Sequence, residues 1–194
     1  MNAMLSGFKT MLPTMIILIL AWSLAGTTDV LHTADFLISA LSGNLGAAWI
    51  PMITFILAAL ISFSTGSSWS TMAILYPLAL PLTWSLGVSN GLTEAELMPI
   101  FYNVISVVLA GSVLGDHCSP ISDTTVLSSI ASGCDHIEHV RTQLPYAVMV
   151  GTVAIAIGTI PAGYGMPPWI SILVGAGILF AVLRYFGRKA DEAV

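Results

Sequence analysis

Gly115-Asp116-His117-Cys118-Ser119-Pro120-Ile121-Ser122-Asp123-Thr124-Thr125 is the stretch whose reading decides the fold. It follows residues 100–114, which are apolar apart from Tyr102, Asn103, Ser106 and Ser112, and it precedes another largely apolar turn or two at residues 126–131. Two carboxylates, an imidazole and four hydroxyls therefore interrupt sequence that otherwise reads as membrane. Irregular backbone and ionisable groups at that depth survive only where protein or water surrounds them, and they mark an ion or substrate path.

The rest of the chain supports a membrane setting. Its 194 residues are 56% hydrophobic and only 8% charged, and the mean hydropathy is +0.92. Soluble domains carry roughly 25% charged residues, so this chain lacks the material for a solvated surface. The formal net charge of −5 is thinly spread and no basic patch exists, which excludes a nucleic-acid partner. Cys118 and Cys134 form no CxxC pair and the four histidines are scattered, so a zinc site has no support. Lys9 precedes a long apolar run with no convincing cleavage site after it, so no cleavable leader is expected. The expected fold class is an all-α polytopic protein of the cell membrane, residues 1–194 forming a single transmembrane domain in contact with lipid.

Taken in order, residues 11–30 have the length a spanning helix needs, with Pro13 in the first turn where its missing N–H costs little. Asp29, His32 and Asp35 mark an exit to water, and residues 36–41 suit a short interfacial helix. Residues 49–63 are apolar, residues 64–71 are rich in hydroxyls around Gly66, and residues 72–82 are apolar again despite Pro77 and Pro81. This is a second interrupted segment. Residues 84–96 read as a polar connection, residues 144–160 as a span with Gly151 and Gly158 on one face, and residues 161–168 as a turn. Residues 169–186 form the last span. Gly133 suits a helix C-terminus, and Asp135 with Glu138 has capping-box spacing for a short helix through Leu144. Trp49, Trp84 and Trp169 fit interfacial anchoring.

The cations are Lys9, Arg141, Arg184, Arg188 and Lys189, and cytoplasmic loops should hold them. With two fully crossing interrupted segments, Arg141 and the C-terminal cluster fall outside while Lys9 falls inside. One re-entrant hairpin brings all five to the cytoplasmic side. Residues 49–82 are the favoured hairpin because residues 84–96, which carry no cation, then face outward.

Pro120 and Gly115 argue against an unbroken helix through Asp116 and Asp123. Ser119 as N-cap with Pro120 at the first helical position would start a half-helix pointing into the protein, with Ser122 and Asp123 beside its first turn. Carbonyls freed around residues 115–118 would add acceptors. Carboxylates, hydroxyls and carbonyls are what a hard cation such as Na+ requires. Burial disfavours a charged carboxylate, whereas a helix N-terminus or a bound cation favours it, and a site balanced between them exchanges a cation for protons. The candidate cation and proton ligands are Asp116, Asp123, Ser119, Ser122, Thr124, Thr125, Ser67, Ser68, Ser70 and Thr71, with Asp116 and Asp123 as the acids that would ligate transported Na+. His117 is placed to tune the site with pH. No bound cofactor is expected.

Each assignment has a plainer alternative. The acids could lie in an aqueous loop, the hydroxyls of residues 64–71 could serve helix packing, and His117 could be a neutral residue bridging backbone groups. An intramembrane serine protease needs glycine directly after its serine, where Trp69 stands. His117 and Cys118 are chain neighbours whose side chains seldom converge. His136, Glu138 and His139 fit a solvated face better than a metal site.

The long central block resembles the signature of the NhaC-type sodium/proton antiporter family. Gly66-Ser67-Ser68-Trp69-Ser70-Thr71 and Cys134-Asp135-His136-Ile137-Glu138-His139-Val140-Arg141-Thr142-Gln143-Leu144-Pro145-Tyr146 are similar to its flanking blocks. The resemblance implies a secondary transporter, one repeat of an ion-transporter-type fold with two interrupted helices, one of them a re-entrant hairpin. It implies exchange of Na+ (or Li+) for H+, with the family's ion-binding acids at Asp116 and Asp123. Some relatives exchange malate and lactate along with Na+ and H+. Family members are more than twice this long, so the chain is expected to be a C-terminal half, needing its N-terminal half or a second membrane chain. A non-transporting subunit is the remaining alternative.

Overall fold

The computed structural model describes residues 46–187 continuously, preceded by isolated positions between Leu5 and His32. The expected span at residues 11–30 lies largely outside the described residues, and the helix at 36–41, Arg188 and Lys189 lie wholly outside them. Among the described residues all regular structure is helical. A 3-10 turn at Ala47–Trp49 leads into α1 (Ile50–Thr65), followed by α2 (Ser68–Ser89), α3 (Glu94–Cys118) and the short α4 (Asp123–Ser132). Next comes α5 (His136–Val153), which runs on through a π-helical stretch at Ala154–Thr159 to a last turn at Ile160–Gly163, and then α6 (Pro168–Phe186). Five helical stretches, of 19, 22, 25, 28 and 19 residues, are long and apolar enough to cross a membrane. At 1.5 Å per residue they reach about 28–42 Å, against a hydrocarbon core of about 30 Å. The protein is an all-α, multi-pass membrane protein.

Local chemistry sets the helix ends. Ser67 caps α2 by accepting from Ser70 N–H, and Asp135 caps α5 by accepting from the Ile137 and Glu138 N–H groups. Glu96 reaches back to the Thr93 N–H at the head of α3. Gly66 and Gly133 close α1 and α4 at φ 67° and 64°, where a side chain would be strained. Pro77 and Pro81 do not end α2, which continues to Ser89.

Two boundaries differ from expectation. Residues 84–96 are not a connection: only 90–93 link α2 to α3, because Gly87 is a helix contact, where a Cβ would come within 2.2 Å of Leu97 Cδ1. The short helix expected through Leu144 does not stop there either. It is the first part of the span, with Pro145 inside it. Gly151 packs against Leu114 as a close-contact glycine should, whereas Gly158 faces open space.

Helices α1, α2 and α3 form the packed centre, its core made of Ile50, Ala58, Leu75, Ala79, Leu86, Ile100, Val104 and Val108. The α1–α3 contact is backbone to backbone. A Cβ on Gly111 would lie 2.6 Å from the Phe55 carbonyl oxygen, and one on Gly115 2.1 Å from that of Ala59. Gly115 is therefore a packing residue inside α3 and not the break that its composition suggests. Ser62 Oγ adds a 2.6 Å hydrogen bond to the Ser112 carbonyl across the same seam. Helices α5 and α6 lie outside this core, with only 17% and 6% of their spans buried. Asn103 Nδ2 donates to the Thr159 carbonyl at 3.1 Å, joining α3 to the π-helical stretch of α5.

The ends of the bundle are chemically distinct. Gly163 lies against Ala48, and Trp49 meets Tyr164 edge-on at 6.5 Å, so the start of α1 adjoins the end of α5. Trp49, Trp84 and Trp169 gather at this end with Glu94 and Glu96. Arg141, early in α5, and Arg184, in the last turn of α6, sit at the other end with the α1–α2 turn and the break after α3. The positive-inside rule puts that second end at the cytoplasm. Residues 49–82 do form a hairpin, but each arm is long enough to cross, so Arg141 and Arg184 share a side without a re-entrant segment.

His136 fixes α4. Its Nε2 lies 2.7 Å from the Pro120 carbonyl, which can only accept, so Nε2 carries a proton, and Nδ1 lies 3.1 Å from Ser129 Oγ. The residue grouped in the sequence with a solvated face is thus a bracket between the α3–α4 break, α4 and α5.

Two outcomes follow. Gly115→Ala should destabilise the protein by about 1–3 kcal/mol, since backbone and not a flexible side chain blocks the methyl group, whereas Gly158→Ala should be neutral or stabilise by up to ~1 kcal/mol; thermal unfolding in detergent separates them. His136→Ala should remove two hydrogen bonds of about 1 kcal/mol each and speed hydrogen exchange across residues 119–132, leaving the α1–α2 turn protected.

Candidate functional site

The two breaks in the helical scaffold meet. Gly66, in the α1–α2 turn, lies so close to the α3–α4 turn that a Cβ would come within 2.8 Å of Ile121 Cγ1 and 3.0 Å of the Ile121 carbonyl. Ser119 Oγ donates to the Phe63 carbonyl at 2.7 Å, tying the end of α3 to the end of α1. With its hydroxyl engaged there, Ser119 does not cap the following helix. It is the C-cap of α3, and Ser122 is the N-cap of α4, three residues later than the sequence suggests.

Asp116 lies in the last turn of α3 at this junction, 8% exposed. Its Oδ2 accepts from Ser68 Oγ at 2.9 Å and its Oδ1 from Ser122 Oγ at 2.6 Å. Thr124 Oγ1 lies 2.7 Å from Ser122 Oγ, extending the hydroxyl chain by one member. Ser68 is the first residue of α2 and Ser122 occupies the N-cap position of α4, its hydroxyl turned to Asp116 and not to the helix backbone, so the carboxylate faces two helix N-termini. Those positive dipole ends offset part of the cost of a buried negative charge.

The other expected residues divide by role. Ser67, Ser70 and Thr71 form the α2 cap: Ser70 Oγ donates to Ser67 Oγ at 3.0 Å and Thr71 Oγ1 to the Ser67 carbonyl at 3.0 Å. Thr125 Oγ1 donates to the His117 carbonyl at 3.2 Å, as does Gln143 Nε2 at 2.7 Å, so residues 115–118 contribute a carbonyl to packing. His117 is exposed and lines an open groove of about 670 Å³ with Val113, Leu114, Val150 and Gly151, residues outside the hydroxyl cluster. Asp123 opens α4, is exposed, and accepts from the Thr124 N–H at 2.8 Å. Asp116, Ser68, Ser122 and Thr124 are brought together; Asp123 is not hydrogen-bonded into that group.

Sequence reasoning missed the supports Gln143, His136 and Ser62. Gln143 and His136 lie within the third motif block, but nothing in the spacing shows that they reach the break.

The chain is 43% identical over 158 residues to an uncharacterised protein of Haemophilus influenzae, covering 81% of this chain and 28% of that one. It is 34% identical over 111 residues to the arginine/ornithine antiporter ArcD of Halobacterium salinarum, covering 55% and 21%. To the Na+/H+ antiporter NhaC of Alkalihalophilus pseudofirmus it is 26% identical over 167 residues, covering 81% and 32%. The chain thus spans about a third or less of the length of these relatives. No solved structure shows a significant match. The profile of the Na+/H+ antiporter family matches residues 1–164, and the chain belongs to that family.

Proposed function

We propose that this chain supplies the ion site of a secondary antiporter exchanging Na+ (or Li+) for H+ across the cell membrane, with Asp116 as the group the two ions share. The observation that supports this is the buried Asp116 carboxylate held by two hydroxyls where the two breaks meet. An ionised carboxylate out of water is costly without a counter-charge, so the site favours either a bound cation or a proton. Hydroxyls suit both states because each donates and accepts. With Asp116 charged, Ser68 and Ser122 donate to it, and their lone pairs remain for a cation. With Asp116 protonated, the acid donates to Ser122, which turns its own proton toward Thr124. Occupancy by one ion excludes the other, and that exclusion is exchange.

Asp123, on the exposed first turn of α4, acts in this reading as the second acid, collecting cations at the mouth. Ser119, Thr125, Ser67, Ser70 and Thr71 hold the two turns in place. The partners are lipid, Na+, H+ and the remainder of the longer transporter.

The match to an arginine/ornithine antiporter, at higher identity than the match to NhaC, favours a second reading in which an organic substrate takes the Na+ position. A carboxylate pairs with a guanidinium or ammonium group as readily as with Na+. An organic acid such as malate or lactate would instead need the helix N-termini to hold it.

In vesicles carrying the full-length transporter, Asp116→Asn should abolish Na+-dependent proton movement with insertion unchanged, and retained exchange would refute the assignment. Asp123→Asn should raise the half-saturating Na+ concentration several-fold, roughly the effect of one mouth charge. Proton movement driven by arginine, ornithine, malate or lactate but not by Na+ or Li+ would favour the second reading.

A further inference from the structure

Among the described residues, Ser112 Oγ is the one buried side-chain oxygen or nitrogen without a hydrogen-bond partner. The residue is 0% exposed. The contrast with other buried hydroxyls is sharp. Thr83 donates to the Ala79 carbonyl one turn back, Thr71 to that of Ser67, Ser119 to that of Phe63, and Ser62 to that of Ser112 itself. A serine inside a helix commonly bonds back to the carbonyl four residues earlier, and Ser112 does not. A buried polar atom left over in this way points to an absent water or ion.

Its position favours an ion. Ser112 lies four residues before Asp116, one turn along the same face of α3. Ser62 Oγ, 2.6 Å from the Ser112 carbonyl, has its proton directed there and keeps its lone pairs. The hydroxyl oxygens of Ser112 and Ser62 and the Asp116 carboxylate are all oxygen donors of the kind a hard cation takes. The flanking glycines restrict what can enter. Gly111 and Gly115, on either side of Ser112, hold α1 so close that neither tolerates a methyl group. A bare small cation fits such a seam better than a hydrated ion or an organic molecule.

We propose that Ser112, with Ser62, forms a dehydrated position for the transported cation one helical turn inward from Asp116, and that this position selects small monovalent cations. The assignment rests on the antiport reading above. Ser112 strips water from an ion that Asp116 has attracted, and the Gly111–Gly115 seam sets the size limit.

The test uses the full-length transporter in proteoliposomes, with proton movement driven by Na+, Li+ or K+. Ser112→Ala should raise the half-saturating Na+ about tenfold, the equivalent of one lost ligand, and weaken discrimination against K+, with the maximal rate retained. Ser112→Cys enlarges the side chain where alanine shortens it and offers only a soft ligand, so the same loss in both variants is not a packing artefact. Wild-type Na+ exchange with unchanged half-saturation and selectivity in both variants would overturn the Ser112 assignment alone. A wild-type protein moving none of the three cations would overturn the antiport reading and this assignment together.

Discussion

The hydrogen bonds from Ser68 and Ser122 to the two oxygens of Asp116 are the constraint on which the rest of the structure depends. A carboxylate in the last turn of a spanning helix sits at the negative end of that helix's dipole, an unfavourable place for an anion. Here the start of α2 and the start of α4 are brought to it, and their positive ends oppose that effect. That requires both breaks to lie at the same level and in contact, which Gly66 permits by leaving room for Ile121. The turns are therefore the means by which two helix N-termini reach one acid.

The glycines of α3 provide the precision. Gly111 and Gly115 let the α1 backbone approach to van der Waals contact, so the end of α1 is fixed relative to the end of α3 by main chain and not by adaptable side chains. Ser119 and Ser62 then cross the seam to α1 and α3 carbonyls. From the opposite side, Gln143 and His136 of α5 hold the His117 and Pro120 carbonyls. The site is framed by four long helices, α1, α2, α3 and α5, whereas α6 touches the frame lightly and contributes no hydrogen bond to it among the described residues.

Much of this was legible in the sequence because hydrocarbon makes polar residues conspicuous. The two interruptions, the acids, Ser68 and Ser122 all stand out against apolar flanks. What the sequence could not separate was neighbours 100° apart on a helix. His117 follows Asp116 in the chain but lines a groove with residues of α5, and the N-cap position expected at Ser119 falls at Ser122, while a carbonyl of α1 claims the Ser119 hydroxyl. Gly115 as a helix break and Gly87 as part of a connection fail for a similar reason: composition shows that a glycine is present, but only the facing helix shows whether it turns the chain or admits a neighbour.

The π-helical stretch at Ala154–Thr159 has a consequence for the phase of α5. Gly151 meets α3 through Leu114 and Gly163 meets the start of α1 at Ala48, twelve positions further on. In an unbroken α-helix that separation rotates the two glycines about 120° apart. One residue looped out in a wide turn cuts the offset to about 20°. The widened turn, steadied by the amide of Asn103, thus works as a register correction that keeps both small residues aimed at the same flank of the bundle.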